Sequence, residues 1–179
     1  MELVNPITDK KQLADMKEAL MMSGYRNFVL FEVGINTGLR VSDLLTLKVK
    51  DVRGKIHLNI TEGKTKKKKQ FYIQHISDVI DKYTRNMDDE DWLFPSRKGD
   101  KAISRVQAYN ILNKCADMVG LEHIGTHTMR KTFGYWYYKQ TKDVAYLMKI
   151  FNHSSQAVTL RYIGIEQEEI DNTLKGFRI

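Results

Sequence analysis

Proline is nearly missing from this chain. Its 179 residues hold two, Pro6 and Pro95, so nothing between 7 and 94, or between 96 and 179, forces a break in a helical hydrogen-bond ladder. The spacing of apolar residues then decides what forms. "TDKKQLADMKEALMM" offers Thr8 as a helix N-cap and Leu13, Met16 and Leu20 at helical intervals. "YRNFVLFEVGINTG" predicts a largely buried helix that stops at Gly38, a residue able to take the left-handed C-terminal position. "SDLLTL" starts a short helix capped by Ser42. One segment changes period. In "KIHLNITEGKTKKKKQFYIQ", Ile56, Leu58 and Ile60 alternate, then Phe71 and Ile73, which predicts two strands joined by a polar turn at Gly63. Helical spacing resumes over about 76–87 and 104–119, on either side of the loop "DWLFPSRKGDK". It continues over about 126–140, 143–151, 155–163 and 166–175. The expected fold is mainly α with a small antiparallel β-sheet (α+β), built as a single domain over residues 1–179.

Several function classes fall away. No window approaches the roughly 20 apolar residues of a membrane-spanning helix. The opening "MELVNPITDKKQ" lacks the apolar centre of a signal peptide. The single cysteine, Cys115, excludes an internal disulfide framework, and no Cys/His spacing suggests zinc. These features point to a cytoplasmic protein with no membrane partner. Charge points to an anionic partner: Lys+Arg number 29 against 22 Asp+Glu, a net +7, and nucleic acid is the first candidate.

Four stretches carry residues that could do chemistry. In "TGLRVSDLL", Arg40 lies between the end of one helix and the start of the next, where a guanidinium and free N–H groups can hold a phosphate. In "HTMRKTFG", His127 and Arg130 stand three apart on a helix, so both project from one face and can grip one phosphate. In "EGKTKKKKQF", Lys64 sits at the turn between the strands, and a mobile ammonium there can protonate a leaving alkoxide. Lys66, Lys67, Lys68 and Lys69 form a basic run suited to DNA backbone phosphates. In "FNHSSQAVTLRYIG", His153 precedes a helix that Ser154 or Ser155 can cap, and Tyr162 falls in its last turn. Each stretch has a plainer reading: a loop arginine, a polar helix face, a solvated lysine run, and one half-buried tyrosine among nine. The aromatics of "FGYWYY", 133–138, read as core plus rim.

Together the four supply two arginines, a lysine, two histidines and a tyrosine in a basic protein. That set suits attack of a tyrosine oxygen on a phosphodiester. Tyrosine needs help, with an ordinary pKa near ~10. Arginines neutralise the non-bridging oxygens as charge builds and favour the phenolate. The lysine protonates the departing 5′ oxygen. No metal or other cofactor is required, and no carboxylate cluster is present to hold one.

The order and spacing of these residues resemble the catalytic domain of the tyrosine recombinases, the phage integrase family. The likeness runs from "NFVLFEVGINTGLRVSDLLTL" to "TLRYIG". The family order of Arg, Lys, His-x-x-Arg, His or Trp, Tyr falls here on Arg40, Lys64, His127 and Arg130, His153, and Tyr162. The intervals of 23 residues from Arg130 to His153 and nine from His153 to Tyr162 look typical. The resemblance implies the DNA breaking-rejoining fold and a type IB mechanism. Tyr162 would form a 3′-phosphotyrosyl link and free a 5′-hydroxyl, without metal or ATP. A partner strand's hydroxyl then attacks and strands exchange.

The resemblance also implies duplex DNA as substrate, four protomers acting on two sites, and accessory DNA-bending proteins. Asp43 matches an acidic position that supports the first arginine. Asn152 stands where the family has glycine; asparagine also reaches the left-handed conformation. The separate N-terminal core-binding domain of most members is not expected in this chain. The tail "IEQEEIDNTLKGFRI" reads as an acidic amphipathic helix with Ile170, Leu174 and Phe177 on one side. Its segment from about 166 to 179 is expected to dock on a neighbouring protomer. Two rival readings remain: a type IB topoisomerase that relaxes DNA without partner exchange, and a catalytically silent DNA-binding protein.

Overall fold

The computed structural model describes residues 4–179, with the backbone alone at Glu166, Gln167, Ile170 and Thr173. Nine α-helices, two short 3-10 helices (Val49–Asp51 and Gln74–Ile76) and one two-stranded sheet are found among them. The α-helices and strands are α1 (Lys10–Ser23), α2 (Tyr25–Thr37), α3 (Val41–Leu44), β1 (His57–Thr61), β2 (Lys68–Tyr72), α4 (Ser77–Thr84), α5 (Arg105–Met118), α6 (Thr128–Thr141), α7 (Val144–Phe151), α8 (Gln156–Tyr162) and α9 (Ile165–Leu174). The mainly α fold with a small antiparallel sheet is as expected.

The central helix is α2, the most apolar of the first three. It buries Phe28 through Gly34 continuously, packing on α1 on one side and α6 on the other. The approach to α6 is close: a Cβ at Gly34 would lie 2.6 Å from the Met129 sulfur. The helix ends where expected, at Gly38 in the left-handed region with φ 68°. Met16 and Leu20 of α1 are fully buried, with Leu13 packed beside them. The aromatic run of α6 divides as expected: Tyr135 and Tyr138 are buried, whereas Phe133, Trp136 and Tyr137 line the rim of the core.

Two cap assignments differ from the sequence reading. Asp9, not Thr8, caps α1, because its carboxylate accepts from the Gln12 N–H at 2.9 Å. Arg40 takes the N-cap position of α3 and Ser42 lies inside that helix. Ser155 caps α8 by accepting from the Val158 N–H. Asn152 ends α7 in the left-handed region, φ 58°, the conformation expected of it.

The strands pair antiparallel with Leu58 opposite Phe71 and Asn59 opposite Gln70. Leu58 and Phe71 face the core, while His57 and Tyr72 are exposed. The tail divides. Ile165 is buried, and Glu168 and Glu169 accept hydrogen bonds from Tyr135 and Tyr138 of α6, so the first half of α9 packs within its own chain. Leu174 and Phe177 are exposed; the Ile170 side chain lies outside the described residues.

Candidate active site

The end of α2, the start of α6, the end of α7 and α8 converge on one patch. Gly38 makes the convergence possible. Its left-handed turn brings Arg40 round at the head of α3, and a Cβ at Gly38 would collide with the Phe133 ring. Arg130, in the first turn of α6, is buried and ties two of these elements together. Its Nη1 donates to the Gly38 carbonyl and its Nη2 to the Ile150 carbonyl at 3.2 Å. The guanidinium also lies 4.6 Å from the centre of the Phe151 ring, a cation–π contact.

Tyr162 closes α8 and points into this patch. Its hydroxyl is 3.4 Å from His127 Nδ1. Its ring packs edge-on against Phe151 and His153, with centroids 5.2 and 5.1 Å apart, and the Lys131 ammonium lies 5.1 Å from its centre. Gly134 on α6 leaves room for this packing, since a Cβ there would lie 2.5 Å from Ile163 and 2.8 Å from Phe151. His153 Nδ1 pairs with Thr159 Oγ1 at 3.1 Å, which orients the ring.

Burial and charge pull the titrating groups in different directions. Burial raises the Tyr162 pKa above its ordinary value, with Arg130 and Arg40 opposing but not cancelling it. Burial lowers both histidines, and Arg130 lowers them further, so both imidazoles are neutral at pH 7. The proton of Tyr162 therefore has a neutral acceptor within reach.

Arg40 is held from beneath. Its Nη1 lies 2.8 Å from Glu62 Oε1 and 3.8 Å from Asp43 Oδ2. The other Asp43 oxygen accepts from the Gly63 N–H at 3.0 Å, so Asp43 joins the arginine to the hairpin turn. Arg40, His127, Arg130, His153 and Tyr162 are thus gathered, with Asp43 buried below them. Lys64 is not: it stands exposed in the turn. Lys66, Lys67 and Lys68 are exposed as a phosphate-binding run requires. Lys69 departs from that expectation. Its ammonium turns inward to Glu62 at 3.3 Å and to the carbonyls of Lys149 and Ile150 at the end of α7.

Glu62 escaped the motif reading. It is fully buried, yet alternation offered a signal: from Leu58 and Ile60, the next inward position is Glu62. Running back from Ile73 and Phe71, it is Lys69. A glutamate and a lysine on the inner face of a hairpin demand partners, and here they are partners. Among the described residues no group of His, Cys, Asp or Glu is arranged to hold a metal. Among them, too, no helix is long and apolar enough to cross a membrane.

The model of the phage integrase family matches residues 7–169. The chain is 47% identical over 178 residues to the Bacillus subtilis (strain 168) protein described as Probable integrase/recombinase YoeC, covering 99% of this chain and 98% of that one. It is 26% identical to tyrosine recombinase XerC of Treponema denticola, covering 84% of this chain but 55% of that one, so it spans about half the length of that relative. Among solved structures, XerA recombinase superposes with a TM-score of 0.76 at 20% identity over 98% of this chain and 67% of that one. A lambda integrase tetramer bound to a Holliday junction gives 0.72 at 18% identity over 90% and 49%. At these identities the structural likeness shows a shared fold. Family match and curated relative together decide the matter: this chain belongs to the phage integrase family of tyrosine recombinases.

Proposed function

We propose that this protein cuts and rejoins duplex DNA at specific sites, with Tyr162 as the nucleophile. One observation carries the reading: the Tyr162 hydroxyl sits 3.4 Å from a neutral His127 in a patch that also holds Arg40, Arg130 and His153. His127 Nδ1 takes the phenolic proton as the tyrosine oxygen attacks phosphorus. Arg40 and Arg130 hold the non-bridging oxygens, and His153 donates a hydrogen bond to the same phosphate. The P–O5′ bond breaks, Tyr162 keeps the 3′-phosphate, and the 5′-oxygen leaves with a proton from Lys64. Attack by a partner strand's 5′-hydroxyl breaks the phosphotyrosyl bond and returns the phenol. The bond energy is kept in the link, so no ATP enters.

Lys66, Lys67 and Lys68 supply phosphate contacts along the duplex. Lambda integrase has been seen as a tetramer on a Holliday junction, which supports four protomers on two sites here. The exposed Leu174 and Phe177 at the end of α9 are the surface we assign to the neighbouring protomer. The work is done at the nucleoid, in the cytoplasm.

Covalent trapping tests the reading. The protein is incubated in EDTA with duplex from the flanks of its own gene and run on a denaturing gel. An adduct is expected with the native protein and not with Tyr162→Phe. An adduct that survives the substitution contradicts Tyr162 as nucleophile. Exchange of strands between two labelled duplexes separates recombination from simple relaxation.

A further inference from the structure

The six residues assigned to cleavage leave the buried charge of Glu62 unexplained. Glu62 has no solvent exposure, yet both carboxylate oxygens are fully engaged. Oε1 faces Arg40 Nη1 at 2.8 Å and Lys69 Nζ at 3.3 Å. Oε2 accepts from the Thr65 hydroxyl at 2.5 Å and from Asn152 Nδ2 at 2.9 Å. Arg40 is itself a member of the site. Thr65 follows Lys64 directly, and Asn152 precedes His153 directly. The Glu62 backbone closes the same turn, accepting from Lys66 N–H at 2.9 Å and donating to the Lys67 carbonyl at 3.0 Å. On the near side of Lys64, the Gly63 N–H is tied to Asp43 at 3.0 Å. The turn that carries Lys64 is therefore pinned on both flanks by carboxylates that also hold Arg40.

Resting on the recombinase reading above, we propose that Glu62 is a positioning residue that fixes the Lys64 turn relative to Arg40, so that the acid and the phosphate clamp act in register. Glu62 cannot touch DNA from where it lies. It acts through Thr65 on one side and Arg40 on the other. An apolar residue there would free both ends and leave the Lys69 ammonium without its carboxylate. A misplacement of about 1 Å in the reacting groups is enough to cost ~10²-fold in rate.

A bridging-sulfur substrate separates this role from general damage. A 5′-thiolate leaves without needing a proton, so a defect in placing the lysine vanishes when sulfur replaces the 5′-bridging oxygen. The test uses two suicide duplexes built on the sequence where the native protein forms its adduct, one with oxygen and one with sulfur at that bridge. Glu62→Ala and the isosteric Glu62→Gln are measured in single-turnover cleavage, with thermal unfolding recorded alongside. Cleavage of the oxygen duplex is expected to fall ~10²-fold in Glu62→Ala, with a loss on the sulfur duplex about tenfold smaller, the remainder being the share carried by Arg40. Should Glu62→Ala fail to fold, Glu62→Gln carries the test, with a smaller loss on oxygen and the same recovery on sulfur. Equal losses on both duplexes, or no loss on either, overturn the proposal. A native protein that forms no Tyr162-dependent adduct overturns the recombinase reading and this proposal with it. A native adduct with unchanged Glu62 variants overturns this proposal alone.

Discussion

The two histidines and Glu62 are held away from their ordinary pKa values by the same patch of charge. Burial keeps His127 and His153 neutral, with Arg130 acting in the same direction. If His127 receives the Tyr162 proton, cleavage needs its neutral form, which persists below the ordinary histidine value of 6.5. The single-turnover rate should therefore lose activity with a half-point below pH 6.5 as His127 protonates; a profile with no half-point between about pH 4 and 8 other than those of the DNA and the fold contradicts the role, and a half-point above 6.5 contradicts the downward shift. Glu62 is lowered too, which for a carboxylate favours the charged form. Burial alone would raise it, but hydrogen bonds from Thr65 and Asn152 and the charges of Lys69 and Arg40 push it down to about 2, against an ordinary 4.5. A depressed carboxylate contributes stability that is fully present above pH 4.5 and lost as pH falls toward 2. The contribution is on the order of 3 kcal/mol. Urea unfolding at pH 7 and pH 3 should show the native protein losing its advantage over Glu62→Gln; an unchanged difference between the two pH values contradicts the ion-paired carboxylate.

At the scale of elements, close packing places the nucleophile. Gly134 lets α6 approach Phe151 and Ile163, which flank Tyr162. Gly134→Ala is expected to cost about 1–3 kcal/mol and to slow cleavage beyond the loss of folded protein. Cleavage at the native rate per folded molecule would show that α8 tolerates the shift. The tail gives a second test. The first half of α9 is anchored to α6 through Glu168 and Glu169, so removal of 166–179 should destabilise the domain as well as assembly. Leu174→Ser with Phe177→Ser should weaken assembly on DNA in gel-shift assays while leaving the melting temperature unchanged. A large loss of melting temperature would place those residues in the core.

Much of this layout was legible from side-chain spacing. Gly38 marked the end of α2, the alternation of Ile56 to Ile60 and of Phe71 to Ile73 marked the hairpin, and His127 and Arg130 marked the head of α6, with His127 at its N-cap instead of on the helix face. Thr8 and Asp9 are adjacent and both favour the N-cap, so only tertiary geometry chooses between them, whereas α3 starts two residues before Ser42, with Arg40 at its head making no side-chain cap. Lys69 was grouped with a solvated run because adjacent lysines look alike in sequence, while strand parity sends Lys69 inward and Lys68 outward. The links from Glu62 to Arg40 and Asn152 span 22 and 90 residues, and no local pattern encodes pairings that distant.

The whole molecule is a basic surface over a charged but closed interior network. Its net charge of +7 should make DNA binding fall steeply with salt, because each neutralised phosphate releases counterions. Replacing Lys66, Lys67 and Lys68 together by alanine is expected to lower the slope of log affinity against log salt by about 0.9 for each phosphate no longer neutralised. An unchanged slope in fluorescence anisotropy titrations would remove the lysine run from the DNA interface. The gathering of five motif residues from three separated stretches into one patch is what the recombinase account rests on. It is tested most directly by isolating the protein–DNA adduct, digesting both components, and sequencing the modified peptide by tandem mass spectrometry. The expected result is a nucleotide joined through its 3′-phosphate to Tyr162. A nucleotide on any other residue, or one joined through a 5′-phosphate, would contradict the account.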